Sequence, residues 1–344
     1  MKNAFPCLLG NRSLRERFRD DILSGTLAHA YILEGAEGSG KHLFARLFAA
    51  ALSCEKKDED GVPLPCGVCP ACKKILSGNS PDLKFIGCKS DKATIGVDAI
   101  RELRMDTAMA PNDVEVKLYV IEEAQLMTIQ AQNALLLTLE EPPSYVQFLL
   151  LCESASTLLE TIKSRAPIFR LEPLSKELLS TELPRLSPEA SSLAKNDPAA
   201  FSELLAAADG SMGRALSFLE AGAQKSILAR RALTRKFLKL VSSPKSAAKT
   251  IDFLSACPQK RDALTEQLCE FLLALSDLAA SKKTDRARLC FFSDPSEADE
   301  LSLSLSLPRI LQLEDLLQNL IEAIQKNANV RLALTAFAVE AKLL

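Results

Sequence analysis

Histidine is nearly absent from this 344-residue chain: His29 and His42 are the only two. No histidine-based catalytic pair is visible, and no cysteine has an acid–base partner placed to make it a nucleophile. Uninterrupted apolar runs of about 18 residues are also missing, so no membrane-spanning helix is expected. The opening stretch MKNAFPCLLGNRSLRERFRD lacks the apolar segment and small-residue cleavage site of a signal peptide, so the expected compartment is the reducing cytoplasm. Charge of one sign is lacking as well. With 42 Lys and Arg against 44 Asp and Glu the net charge is −2, and no general field draws nucleic acid. Glycine is sparse at 13 residues while Ala and Leu dominate, which favours helix. At about 150 residues per domain, the length suggests two or three domains with cores of their own.

What is present begins with alternation. A helix is expected from about residue 14 to Gly25, and AYILEG then reads as a short apolar strand. KHLFARLFAAAL reads as a helix with Leu43, Leu47 and Ala50 on one face. After a hydrophilic, cysteine-rich insertion, DLKFIG, VKLYVIEE, YVQFLLLCE and PIFRLEP read as strands. GVDAIRELRMDTAM and TIQAQNALLLTLEEPP read as helices among them. Continuously apolar strands separated by helices predict a parallel sheet covered on both faces. The pattern stops near Pro173. Beyond it helices are expected almost throughout, with Pro184, Pro188 and Pro198 punctuating short ones. LSLSLSLP, Leu301 to Pro308, alternates like a strand but is read as a loop or helix start, for want of a partner strand.

The stretch GAEGSGKHLF, Gly35 to Phe44, has the frame G-x-x-x-x-G-K of a phosphate-binding loop, set between a strand and a helix as such a loop requires. Gly35, Gly38, Gly40 and Lys41 are the candidate nucleotide contacts. Where a Ser or Thr would hold Mg²⁺ stands His42. At the end of VKLYVIEE, where an ATPase places an Asp, stands Glu122, followed by Glu123. Arg165 in TIKSRAPIF and Arg214 in GSMGRALSFLE are weaker signals, since most such arginines are simply exposed. Arg231, Arg235 and Lys239 share one helical face, read as solvated in preference to a DNA contact.

Four cysteines stand close in sequence: Cys54, then Cys66, Cys69 and Cys72 in CGVCPAC. Four thiolates can close a tetrahedral structural Zn²⁺ site. The C-x₂-C-x₂-C run also matches part of an iron–sulfur motif, but no Cys continues it after Cys72. Plain structural thiols remain the third reading, and zinc is favoured by the close spacing. Cys88 could replace Cys54, although a buried strand cysteine is its ordinary explanation.

Taken in order, HAYILEGAEGSGK, CGVCPAC, TIGVDAIREL, VKLYVIEEAQLM, NALLLTLEEPP, QFLLLCE, TIKSRA and GSMGRALS resemble the bacterial DNA polymerase III clamp-loader subunits, delta-prime and gamma/tau. The likeness covers about residues 5 to 220. It implies an α/β RecA-like AAA+ domain over 1–172, with a zinc module at about 54–78. An all-α lid over 173–222 and an all-α collar over 223–344, which assembles the oligomer, would come after it. Within the family IGVDAIREL and the absence of a tau-like tail point to the delta-prime type. Three departures separate the chain from an ATPase: His42, Glu122, and Cys152 or Glu153 where gamma-type subunits carry a polar sensor. The resemblance therefore implies a DNA polymerase III subunit without ATPase activity of its own, with ATP or ADP binding doubtful. It would act with gamma/tau, delta, the sliding clamp and primer-template DNA. Arg165, in SRA where the family has SRC, would reach the ATP of a neighbouring subunit as an arginine finger. Arg214 would face the degenerate nucleotide site. A gamma-like hydrolysing subunit and a zinc-bearing AAA+ adaptor are the alternatives.

Overall fold

The computed structural model describes residues 8–57, 65–88, 93–220, 223–242, 247–258, 260–284 and 289–343. The first elements are α1 (Arg12–Ser24), β1 (Ala30–Glu34), α2 (Lys41–Leu52), α3 (Pro70–Leu76), β2 (Leu83–Ile86), α4 (Val97–Thr107) and β3 (Lys117–Ile121). They continue as α5 (Ile129–Glu140), β4 (Val146–Cys152), α6 (Glu160–Lys163) and β5 (Ile168–Arg170). The rest is helical: α7 (Lys176–Leu186), α8 (Pro188–Asn196), α9 (Pro198–Ala208), α10 (Met212–Ser217), α11 (Ala223–Val241) and α12 (Ala247–Ser255). α13 (Arg261–Lys283), α14 (Pro295–Leu303), α15 (Leu307–Gln325) and α16 (Val330–Leu343) complete it.

The five strands pair in parallel in the order β2-β3-β4-β1-β5. The continuous apolar runs have a simple cause, since both faces of the sheet are covered. In β1, Tyr31 and Leu33 pack on one side with Phe18, Phe44 and Phe48 of α1 and α2. Ala30 and Ile32 pack on the other with Ile100, Leu103 and Leu135 of α4 and α5. This is the parallel sheet covered by helices, with a helix-rich remainder, that the strand and helix pattern predicts. The residues divide into two compact units, 1–174 with Ser211–Gly213, and Ser175–Gly210 with Arg214–Leu344. In the second, Phe237, Phe271, Leu275, Leu313 and Leu317 are among the centre of a separate helical core.

Several local expectations change. Leu43 does not share the buried face of α2: it is 44% exposed, and Phe44, Leu47, Phe48 and Ala51 face the sheet instead. The aromatic pair at 44 and 48 fits between Phe18 and the strands, and that packing sets the helix's rotation. α3 arises inside the insertion, where Cys69 accepts the Cys72 amide as an N-cap and Pro70 stands at the first position. Pro184 lies within α7 and does not end it, whereas Pro188 and Pro198 each open a helix. LSLSLSLP is the end of α14 and the start of α15, with Ser306 capping the Arg309 amide. The solvated face expected at Arg231 is overturned. Arg231 is fully buried over the Phe291 ring and donates to the carbonyls of Phe291 and Cys290. Arg235 beside it pairs with Glu203 and Glu297. A guanidinium is weakly hydrated and planar, so it tolerates such a stacked, carboxylate-lined site. The boundary expected at 222/223 has residues 221 and 222 outside the described residues.

Candidate functional site

Parallel α/β sheets bind ligands at the carboxyl ends of their strands. Here three such ends meet: Gly35 follows β1, Glu122 follows β3, and Cys152 and Glu153 close β4, with Glu34 in register with Cys152. Glu122, Cys152 and Glu153 line an open cavity of about 500 Å³ together with Glu37, Gly38, Gly40, Lys41, His42, Glu123, Gln125, Leu151 and Gly213.

The loop geometry depends on its glycines. Gly38 and Gly40 have φ of 70° and 99°, a region that glycine enters at no steric cost. Any Cβ at Gly35 would lie 2.8 Å from Ser39 Oγ and 3.1 Å from Leu171 Cβ. The Lys41 ammonium donates to the carbonyls of Gly35 at 2.5 Å and Ala36 at 2.9 Å. Burial holds it below the ordinary lysine value, against the pull of Glu153 and its acidic neighbours.

His42 Nε2 and Glu122 Oε1 are 2.9 Å apart. The two residues that stand in place of magnesium-binding groups therefore satisfy each other. Phe85 stacks beside the imidazole, with ring centroids 6.1 Å apart. Gly87, which the sequence motifs do not single out, makes room for the carboxylate: a Cβ there would be 2.8 Å from Glu122 Oε2. Glu123 has φ of 46°, an uncommon conformation for a non-glycine residue and a local strain at the cavity edge. Burial pushes the Cys152 thiol up to about 11, so this position offers no thiolate near neutrality.

Gly213, also outside the sequence expectation, lies against the loop. Its amide donates to Gly38 O at 2.9 Å. Arg214 belongs to the second unit, where it donates to Ala207 O and lies over the Phe218 ring. Arg165 sits after α6, donating to Glu140 Oε1 at 2.7 Å and to Thr161 O at 3.0 Å. Its side chain stays 37% exposed.

The four cysteines do meet. The sulfurs of Cys54, Cys66, Cys69 and Cys72 all lie within 4.8 Å of one another, and Cys66 and Cys72 are 4.0 Å apart. Tetrahedral Zn²⁺ with Zn–S near 2.3 Å needs sulfurs roughly 3.8 Å apart, so the donor set fits that ion. The amides of Val68 and Cys69 lower the Cys66 thiol to about 6, while burial pushes Cys72 up to about 12. Cys88 stands apart from the cluster, half-buried after β2. Among the described residues no helix is long and apolar enough to cross a membrane.

Residues 10–175 match the family described as DNA polymerase III, delta subunit. The chain is 33% identical over 216 residues to DNA polymerase III subunit tau of Bacillus subtilis, covering 63% of this chain and 37% of tau. It is 32% identical over 218 residues to the gamma subunit of Buchnera aphidicola, covering 63% of this chain and 58% of gamma. Among solved structures, a DNA polymerase III gamma subunit-related protein of Thermotoga maritima matches with TM-score 0.42 and 19% identity, over 95% of this chain and 98% of that one. The chain thus spans 37% of tau and 58% of gamma, less than two thirds of either relative. Residues 10–175 are thus similar in sequence to delta, gamma and tau subunits of DNA polymerase III.

Proposed function

We propose that this chain belongs to the clamp-loader family, as a non-hydrolysing, delta-prime-like subunit of the DNA polymerase III clamp loader. The observation that carries the reading is the His42–Glu122 hydrogen bond of 2.9 Å. A hydrolysing site holds Mg²⁺ between the hydroxyl after the loop lysine and the strand-end Asp. Here an imidazole, a poor ligand for a hard cation that seeks oxygen, is paired with Glu122, the carboxylate that stands in place of that Asp. In this reading Gly35, Gly38, Gly40 and Lys41 form a degenerate nucleotide site, and Arg165 serves the ATP of a neighbour. Cys54, Cys66, Cys69 and Cys72 hold a structural Zn²⁺. The sheet domain of 1–172 is followed by a lid over 173–222 and a collar over 223–344. The partners are gamma/tau, delta, the sliding clamp and primed DNA. Reconstitution tests the reading. The chain should co-purify with gamma/tau and delta, and leaving it out should abolish clamp loading; failure to join such a complex would contradict it.

A gamma-like hydrolysing subunit is the second reading, supported by relatives that carry the names tau and gamma. The Lys41→Ala variant separates the two. A hydrolysing subunit would lose phosphate release with that lysine, whereas a non-hydrolysing one has none to lose.

A further inference from the structure

The first amides of any helix lack acceptors within it. In α10 one of them, that of Gly213, finds its acceptor in the loop, at Gly38 O 2.9 Å away. Two residues earlier the buried Ser211 donates its hydroxyl to Glu37 O at 3.0 Å. The approach is too close for any side chain: a Cβ at 213 would lie 2.7 Å from Gly38 Cα and 2.8 Å from its oxygen. Lys41 already engages Gly35 O and Ala36 O. Four consecutive loop carbonyls, 35 to 38, therefore each receive a donor from the chain itself. In a working phosphate loop the lysine reaches the β- and γ-phosphates, so a nucleotide has to take Lys41 away from these carbonyls. The cavity wall adds repulsion, with Glu37, Glu122, Glu123 and Glu153 facing Lys41 and His42.

We infer that Ser211-Met212-Gly213 is a strap that orders the loop in place of a nucleotide, keeping it in one conformation whether or not ATP is present. The inference rests on the non-hydrolysing reading of the same loop and adds what holds it. Hydrogen exchange on the full chain tests it, followed in peptides spanning 35–41 and 209–216. In the wild type both segments should be protected without nucleotide, and millimolar Mg·ATP should change their exchange by less than about twofold. Gly213→Ala should speed exchange in both by about tenfold or more, with zinc content and helicity unchanged. Ser211→Ala, which removes one hydrogen bond without a clash, should give a smaller acceleration in the same two segments and serves if the alanine at 213 prevents folding. Unchanged exchange in the folded variants would overturn the strap. So would a wild-type loop that exchanges freely until Mg·ATP protects it. ATP turnover by the wild type would defeat the functional reading alone, since the strap is read from exchange and not from hydrolysis.

Discussion

His42 and Glu122 are 80 residues apart in sequence, and each by itself is an ordinary polar residue at the end of an element. Their pairing is not legible from the sequence, because it depends on β3 lying two strands from the loop strand with its carboxyl end at the same edge. Arg165 presents the opposite case. Its position is readable, but its partner Glu140, at the end of α5, is not. The magnitude of that ion pair decides what a substitution should do. With side chains 37% and 47% exposed, the pair is worth no more than about 1 kcal/mol. Arginine fingers, by contrast, contribute about 10³ to 10⁵ in rate at the site they serve. Arg165→Ala and Arg165→Lys should therefore fold and assemble normally, yet reduce DNA- and clamp-stimulated ATP hydrolysis by the reconstituted loader. The fall in total turnover should be smaller than the effect at one site, since other sites continue. Lysine does not rescue, because it lacks the planar fork. Correctly assembled mutant complexes that hydrolyse ATP at the wild-type rate would remove Arg165 from the site.

At the scale of elements, the strands are the most legible feature, since β3 and β4 are buried on both faces at every position and apolar except at Lys117, Tyr119 and Gln147. The insertion is less so. Its hydrophilic composition hides α3, although Cys69 before Pro70 is a usable helix-start signal. The same four cysteines that meet there give a prediction. Cys69→Ser should lose one Zn²⁺ per chain and loosen α3 while the sheet persists, as structural zinc binding contributes on the order of 10–16 kcal/mol locally. Elemental analysis finding iron with sulfide, or no metal in a freshly reduced preparation, would contradict it. A second element-scale tie joins α4 to the sheet through Asp106, which meets Lys84, Lys117 and the Tyr119 hydroxyl. Burial alone would raise its carboxyl, but the hydrogen bonds of Lys84, Tyr119 and Lys117 outweigh that and lower it from 3.8 to about 2. A lowered carboxylate stabilises the fold above its unfolded value, and the contribution is lost as pH falls from 3.8 towards 2. Asp106→Asn should flatten that acid limb in urea unfolding followed across this range. A limb as steep as that of the wild type would show that Asp106 does not contribute to it.

At the scale of the molecule, the sequence is informative about the parallel sheet and about the helical character of the chain beyond Pro173, because both are periodic signals. It is misleading about charge. Arg231, on a helix face that looks solvated, is held inside the second unit by carboxylates of α9 and α13 and by the Phe291 ring between α13 and α14. No local pattern announces such a burial. The proposed function requires that the chain, despite its phosphate-loop frame, not hydrolyse ATP. Steady-state phosphate release by the isolated protein in Mg·ATP tests this most directly, with Lys41→Ala defining the background and the loader's own gamma/tau subunit as the active comparison. The account predicts a wild-type rate equal to that of Lys41→Ala. A wild-type rate well above it, abolished by Lys41→Ala, would contradict the account and make the chain a gamma-like ATPase.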